Sequence, residues 1–181
     1  MEKKFGLIGK VVSHSYSKAY FDEKFFREEL RDYRYDLYAI PDIKELQNIL
    51  NDNPELCGLN VTIPYKEQVI SMLDEVDSDA RQIGAVNVIR IQNGKLKGFN
   101  TDSSAFLESL QHWSEQLKGE RAIILGTGGS SKAVQTALKK MDIPFQNVSR
   151  DASLAPLTYD VLKSDPSYFN QHKLIINTTP L

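Results

Sequence analysis

The sequence is poor in the residues that build cross-linked or metal-bound scaffolds. It holds one cysteine, Cys57, in 181 residues, so no intrachain disulfide can form. Its three histidines, at positions 14, 112 and 172, are too scattered to offer metal-ligand spacing. Neither sign of charge is in excess. A count of 22 basic against 24 acidic residues gives a net charge of -2, with a pI of about 5.9, and leaves no electrostatic footprint for nucleic acid or an anionic membrane. Long apolar runs are missing as well: the N-terminal one is broken by Gly6, Gly9 and Lys10 and reads as neither a signal peptide nor a membrane span. These absences predict a cytoplasmic, metal-free protein with no nucleic-acid or membrane partner. What remains, 41% hydrophobic and 25% charged residues, suits one large globular domain or two small ones.

Apolar segments punctuated by glycine and proline set the architecture. Phe5 to Gly9 predicts a short strand, followed by a hydroxyl-rich loop, Lys10 to Ser17, in which Ser17 stands at an N-cap position. Phe21, Phe25, Phe26 and Leu30 then recur at helical spacing as one apolar face. Two uses compete for the serines: capping a surface helix, or binding a carboxylate or phosphate at the helix N-terminus. Tyr33 to Ile40 reads as a strand, and Pro41 and Asp42 open a helix through Ile43, Leu46, Ile49 and Leu50. Next comes Gly58-Leu59-Asn60-Val61-Thr62-Ile63-Pro64-Tyr65-Lys66, an apolar strand stopped by proline that delivers Lys66 at its tip. A lone lysine is ordinarily a solvated charge, but strand tips are where α/β proteins place chemistry. A helix from about Glu67 to Leu73 completes a β-α-β-α-β-α order, the signature of a parallel sheet covered by helices. Asp74 to Gln82 reads as an irregular acidic connection.

Gly84 to Ile91 predicts another strand, joined through the hairpin signal Asn93-Gly94 to a strand from Lys95 to Phe99. The hairpin ends in Asn100-Thr101-Asp102, where Thr101 or Asp102 either caps the next helix or serves a site. That helix has Phe106, Leu107, Leu110 and Trp113 as its apolar face, and the polar stretch Gln116 to Arg121 follows it. Ala122 to Leu125 is a buried strand running into Gly126-Thr127-Gly128-Gly129-Ser130-Ser131, then a helix with Ala133, Val134, Ala137, Leu138 and Met141 inward. This is the strand, glycine turn and helix start of a dinucleotide site, with Ser131 where a third glycine would stand. Phe145 to Val148 is the second strand of the unit and ends in Ser149-Arg150-Asp151. An arginine there accommodates the 2′-phosphate of NADP, whereas Asp151 keeps NAD open. A poorly patterned stretch with Pro156 and Pro166 leads to a third strand, Lys173 to Asn177, ending at Thr178-Thr179-Pro180.

Taken together, separated segments in this order resemble the shikimate dehydrogenase family. They are His14-Ser15-Tyr16-Ser17, Asn60-Val61-Thr62-Ile63-Pro64-Tyr65-Lys66, Gly84-Ala85-Val86-Asn87, Asn100-Thr101-Asp102, and the glycine turn with Ser149-Arg150 and Asn177-Thr178-Thr179-Pro180. The resemblance implies an α/β fold: a substrate-binding domain with a mainly parallel sheet over residues 1–102, a linking helix over 103–120, and the first half of a Rossmann-type cofactor domain over 121–181. It implies NADPH-dependent reduction of 3-dehydroshikimate to shikimate, with a small-molecule substrate as the partner and a monomer or homodimer as the assembly. Ser15 and Ser17 would hold the substrate carboxylate, and Thr62, Asn87 and Asp102 its ring oxygens. Lys66 would transfer the proton beside Asp102. Gly126, Thr127, Gly128, Gly129, Ser130, Ser149 and Arg150 would hold the cofactor, with Thr178 near its nicotinamide half. An ammonium can donate the proton that a growing alkoxide takes up, and a neighbouring carboxylate favours that charged form.

Lys18 stands where the family usually has proline, Ser103 and Ser104 where it has small residues, and Ser149 and Asp151 where asparagine and threonine often flank the arginine. Family members also run on past Pro180 with further strands and a late helix. The crevice for a nicotinamide lies where strand order reverses, and this reading puts the reversal in the absent half. A shortened chain with an exposed sheet edge is therefore expected. Two alternatives follow: a non-catalytic carboxylate- or nucleotide-binding module, and a quinate/shikimate dehydrogenase using NAD.

Overall fold

In the computed structural model, which describes residues 2–179, the chain divides into two units between Asn100 and Thr101. Pro180, the last residue of the expected third-strand motif, lies outside the described residues. No helix among the described residues is long and apolar enough to cross a membrane. No group of three or more His, Cys, Asp or Glu among them could hold a metal ion.

The first unit is built on a six-stranded sheet. Strands β1 (Lys3–Gly9), β2 (Tyr33–Ala39) and β3 (Leu56–Val61) pair in parallel, with β1 in the middle. β5 (Val88–Gln92) runs antiparallel to β3 and to β6 (Lys95–Phe99), and the short β4 (Glu75–Val76) closes the edge in the order 2-1-3-5-6-4. Asn93 and Gly94, both at positive φ (53° and 72°), form the tight turn between β5 and β6 that the Asn-Gly pair predicts. One face of the sheet buries Ile8, Leu59, Val61 and Ile89 against Leu46 of α2 (Leu46–Asp52) and Tyr65 of α3 (Tyr65–Gln68). On another cluster, Leu7, Val12 and Tyr35 pack with Phe21 and Phe25 of α1 (Ser17–Arg27).

Several elements depart from the pattern. Phe26 is 88% exposed, because only the stripe of Phe21 and Phe25, four residues apart, meets the sheet, and the next residue is turned about 100° away. Residues 74–82, read as irregular, contain β4 and all but the last residue of α4 (Ser78–Ile83), whose start is capped by Asp77 accepting from the Asp79 N–H at 3.1 Å. The strand expected from Gly84 begins at Val88 instead. Gly84, at φ 73°, ends α4 in the left-handed conformation.

The second unit opens with α5 (Asp102–Leu110) and α6 (Ser114–Leu117), the stretch read in the sequence as a linking helix. Phe106, Leu110 and Leu117 from this stretch pack on Ala122, Ile124, Val134 and Leu138. It is thus part of the unit's core, while Trp113, expected on the same face, is exposed. The sheet comprises β7 (Ala122–Leu125), β8 (Phe145–Ser149), β9 (Leu157–Thr158) and β10 (Leu174–Asn177), all parallel, in the order 10-7-8-9. Helix α7 (Gly129–Lys140) joins β7 to β8, and α8 (Tyr159–Ser164) and α9 (Ser167–Gln171) lie between β9 and β10.

This order corrects one expectation. The poorly patterned stretch holds a real strand, β9, which extends the sheet beyond β8, so that β10 pairs on the other side of β7. The reversal of strand order lies between β7 and β10, within the chain and not in an absent half. β9 carries no sequence signal because it is two residues long. Its burial comes from Leu157 packing with Ile123, Val148 and Leu162 rather than from any periodicity.

Candidate active site

In the first unit the candidate residues gather at the carboxyl ends of β1 and β3. Thr62, one residue past β3, donates its N–H to Ile8 O at 2.9 Å, and the Lys10 N–H reaches Ile63 O at 3.2 Å, so the two strand tips are tied together. A β-carbon on Gly9 would collide with the Thr62 side chain, which uses the space that a glycine leaves. The loop after β1 folds back on itself: the Ser15 N–H donates to Val12 O, and Ser15 Oγ accepts from the Ser17 N–H at 3.2 Å. Ser17 is therefore the first residue of α1 and not its cap; Ser15 satisfies one of the helix's open N–H groups. Ser15, Ser17 and Thr62, with Leu7, Val11, His14 and Tyr16, line one cavity of about 430 Å³.

Lys66 lies on the first turn of α3, following the cis Ile63–Pro64 bond. Its carbonyl accepts from the Val86 N–H at 2.7 Å, which ties the 84–87 loop to the lysine's own turn. Asn87 is buried; its carbonyl takes the Val61 N–H at 2.8 Å and its N–H goes to Phe99 O at 3.0 Å. Thr62, Lys66 and Asn87 are thus held around one strand tip by backbone bonds. The Asn100 side chain adds a bond to Ala85 O at 3.0 Å. Asp102 belongs to the second unit, where it is the first residue of α5.

Two further residues of this sheet received no role from the sequence. Tyr35, fully buried on β2, donates its hydroxyl to Asn60 Oδ1 at 2.7 Å. Burial pushes that phenol up to about 12, against a smaller downward pull from a hydrogen bond with Ser17. The signal was available, since an asparagine in a strand is out of place unless its amide has a partner.

In the second unit β7 runs into the glycine turn. Gly126 has φ 115°, and a β-carbon there would lie 2.6 Å from Thr178 Oγ1. Thr178, just past β10, donates both its N–H (2.9 Å) and its hydroxyl (2.7 Å) to Leu125 O. The turn is thus braced from across the reversal of strand order, where α/β sheets bind ligands. Gly128 is different: its backbone is ordinary, and a β-carbon there would meet no protein atom. Neither packing nor conformation requires a glycine at 128. The glycine leaves this backbone open, and an open backbone at the start of a helix is the kind of surface that a phosphate group can approach closely.

At the end of β8, Ser149 is buried and its hydroxyl accepts from the Asp151 N–H at 3.1 Å, while Arg150 is exposed. Asp151 Oδ1 accepts from the Ser153 hydroxyl (2.7 Å) and the Ser153 N–H (2.8 Å), and these bonds hold its carboxyl below the usual range.

Residues 7–89 match the family model of the shikimate dehydrogenase substrate binding domain. The shikimate dehydrogenase (NADP(+)) of Staphylococcus haemolyticus is 34% identical over 184 residues, an alignment covering 97% of this chain and 68% of that protein. The chain belongs to the shikimate dehydrogenase family.

Solved members of this family superpose closely. Shikimate dehydrogenase 1 from Peptoclostridium difficile matches with a TM-score of 0.85 at 31% identity, over 99% of this chain and 67% of its own. Shikimate 5-dehydrogenase from Thermus thermophilus, solved in complex with NADP(H) and shikimate, matches with a TM-score of 0.79 at 28% identity, over 98% of this chain and 68% of its own. Family membership makes the chain an oxidoreductase of α/β architecture, spanning about two thirds of the length of these relatives.

Proposed function

We propose that this shikimate dehydrogenase family member reduces 3-dehydroshikimate to shikimate with NADPH, using Lys66 as the proton-transfer residue and Asp102 as its partner. The observation that carries the reading is the cavity at the tips of β1 and β3. Ser15, Ser17 and Thr62 offer it hydroxyls, and Lys66 and Asn87 follow from the same tip. A carboxylate suits the serine end, next to the open N–H groups of α1. A polyol ring suits Thr62, Asn87 and Asp102, which supply donors and acceptors for hydroxyl groups.

Gly126, Thr127, Gly128, Gly129 and Ser130, with Ser149 and Arg150 toward a 2′-phosphate, would hold NADPH, which would supply the hydride. Reduction places negative charge on the C3 oxygen, and the Lys66 ammonium gives that oxygen its proton, leaving a neutral amine that solvent reprotonates. The Asp102 carboxylate is suited to accept a hydrogen bond from a substrate hydroxyl. The net change consumes one proton, one NADPH and one ketone and yields one alcohol and NADP⁺. Arg150 supports NADP over NAD, while Asp151, whose bonds from Ser153 favour its charged form, is the residue that keeps NAD open.

Initial rates with the four pairings of NADPH or NADH with 3-dehydroshikimate or 3-dehydroquinate test the reading. Turnover is expected with NADPH and 3-dehydroshikimate, and at least tenfold weaker turnover, roughly one lost charge-assisted contact, with NADH. Preference for NADH and the quinate-type ketone would favour the quinate/shikimate alternative.

A further inference from the structure

Ser131 breaks the glycine pattern of the turn, and the structure gives the reason. Its side chain is fully buried, and its hydroxyl donates to Gly126 O at 2.8 Å. The same oxygen accepts from Asn147 Nδ2 on β8 at 3.0 Å. Asn147 Nδ2 also donates to Ser131 Oγ at 2.8 Å, and Gln135 Nε2 donates to Ser131 Oγ at 3.1 Å. The hydroxyl therefore gives one bond and takes two, its full capacity. Gly126 O, Ser131 Oγ and Asn147 Nδ2 close a three-membered ring of hydrogen bonds beneath the turn.

A peptide unit is planar and trans, so its C=O and N–H point to opposite sides. Two donors gripping Gly126 O from below fix the plane of the Gly126–Thr127 peptide and turn the Thr127 N–H the other way. We propose that Ser131 and Asn147 are positioning residues that aim the Thr127 N–H at the pyrophosphate of the bound dinucleotide. The inference rests on the reading of this turn as the cofactor site. A third glycine would allow close helix–strand packing but could not hold the carbonyl. Serine at 131 and asparagine at 147 exchange that packing for a pre-set donor, and preorganisation of this kind acts on affinity without touching the ligand.

The test is calorimetric titration of NADPH and, separately, of adenosine 2′-monophosphate, which carries the 2′-phosphate but no pyrophosphate. Asn147→Leu is expected to weaken NADPH about tenfold, the scale of one charge-assisted hydrogen bond, and to leave adenosine 2′-monophosphate unchanged. Ser131→Ala, a milder change on a helix, is expected to do the same to a smaller extent, and thermal melting of both variants checks the fold. Unchanged NADPH affinity in both variants, with wild-type protein binding tightly, would overturn the inference alone. Equal weakening of both ligands would overturn it too, by pointing to general damage. Failure of the wild-type protein to bind NADPH would overturn the cofactor reading itself.

Discussion

Thr178 Oγ1 occupies the position from which it excludes any side chain at Gly126. The two residues lie 52 positions apart in sequence, yet an ideal β-carbon on Gly126 would come within 2.6 Å of that oxygen. The pairing follows from the 10-7-8-9 strand order, which sets the end of β10 beside the end of β7.

Gly126→Ala is therefore expected to destabilise the second unit by at least the cost of a strained backbone, about 1–3 kcal/mol, plus the collision. It should weaken NADPH binding as well. Thr178→Ala removes the hydroxyl that collides, so the double variant should lose less stability than the sum of the singles. Urea unfolding of the four proteins measures the coupling; strict additivity would show that the two side-chain positions do not compete for space.

Ser17→Ala is expected to raise the KM for 3-dehydroshikimate about tenfold, as for a lost hydrogen bond to a charged group. The KM for NADPH should stay the same. Ser15→Ala removes the acceptor for the Ser17 N–H as well, and its effect on the same KM should be at least as large. Steady-state kinetics with each substrate varied in turn gives both numbers.

Tyr65 is buried beside Lys66, and its hydroxyl donates to Ile40 O at 2.6 Å. Tyr65→Phe keeps the ring and leaves that carbonyl without its partner, a loss of about 1–3 kcal/mol. A thermal melt should show a Tm lower by several degrees, and an unchanged Tm would mean that water replaces the bond.

An ion pair gives the first unit a pH dependence. Lys4 Nζ lies 2.8 Å from Glu55 Oε1. The hydrogen bond from Lys4 holds the Glu55 carboxyl below its ordinary value, and the reciprocal bond raises that of Lys4. The Glu55 contribution is present above the ordinary glutamate range and is lost as pH falls through its lowered value. The Lys4 contribution is present below the ordinary lysine range and is lost as pH rises through its raised value. Urea midpoints measured below about pH 4.3 should fall less steeply for Glu55→Gln than for the wild-type protein.

Elements that carry their own local signal were legible in the sequence: β7, the Asn93-Gly94 turn and the glycine-led start of α7 each rest on neighbouring residues. Features fixed by distant packing were not. The strand β9 is two residues long and exists because Leu157 finds Ile123 and Val148. The reversal of strand order, between β7 and β10, comes from β10 pairing on the far side of β7 from β8, a long-range pairing that no local signal carries. In the candidate site, Ser15, Ser17, Lys66 and Asn87 could be named from the resemblance of their segments to the family's. The bonds Tyr35–Asn60 and Ser131–Asn147 join different elements across 25 and 16 positions; an asparagine in a strand signals that a partner is needed, but no local pattern names which residue it is. Ser131 looked like an imperfect glycine because its value lies in the hydroxyl and not in its backbone freedom.

The most direct test of the central claim is the rate of NADPH consumption with 3-dehydroshikimate in wild-type and Lys66→Ala proteins, with shikimate affinity measured alongside. A fall in kcat of about 10²- to 10⁴-fold with shikimate binding largely retained is expected of a proton-transfer residue. A Lys66→Ala protein that turns over within a few-fold of wild type would contradict it.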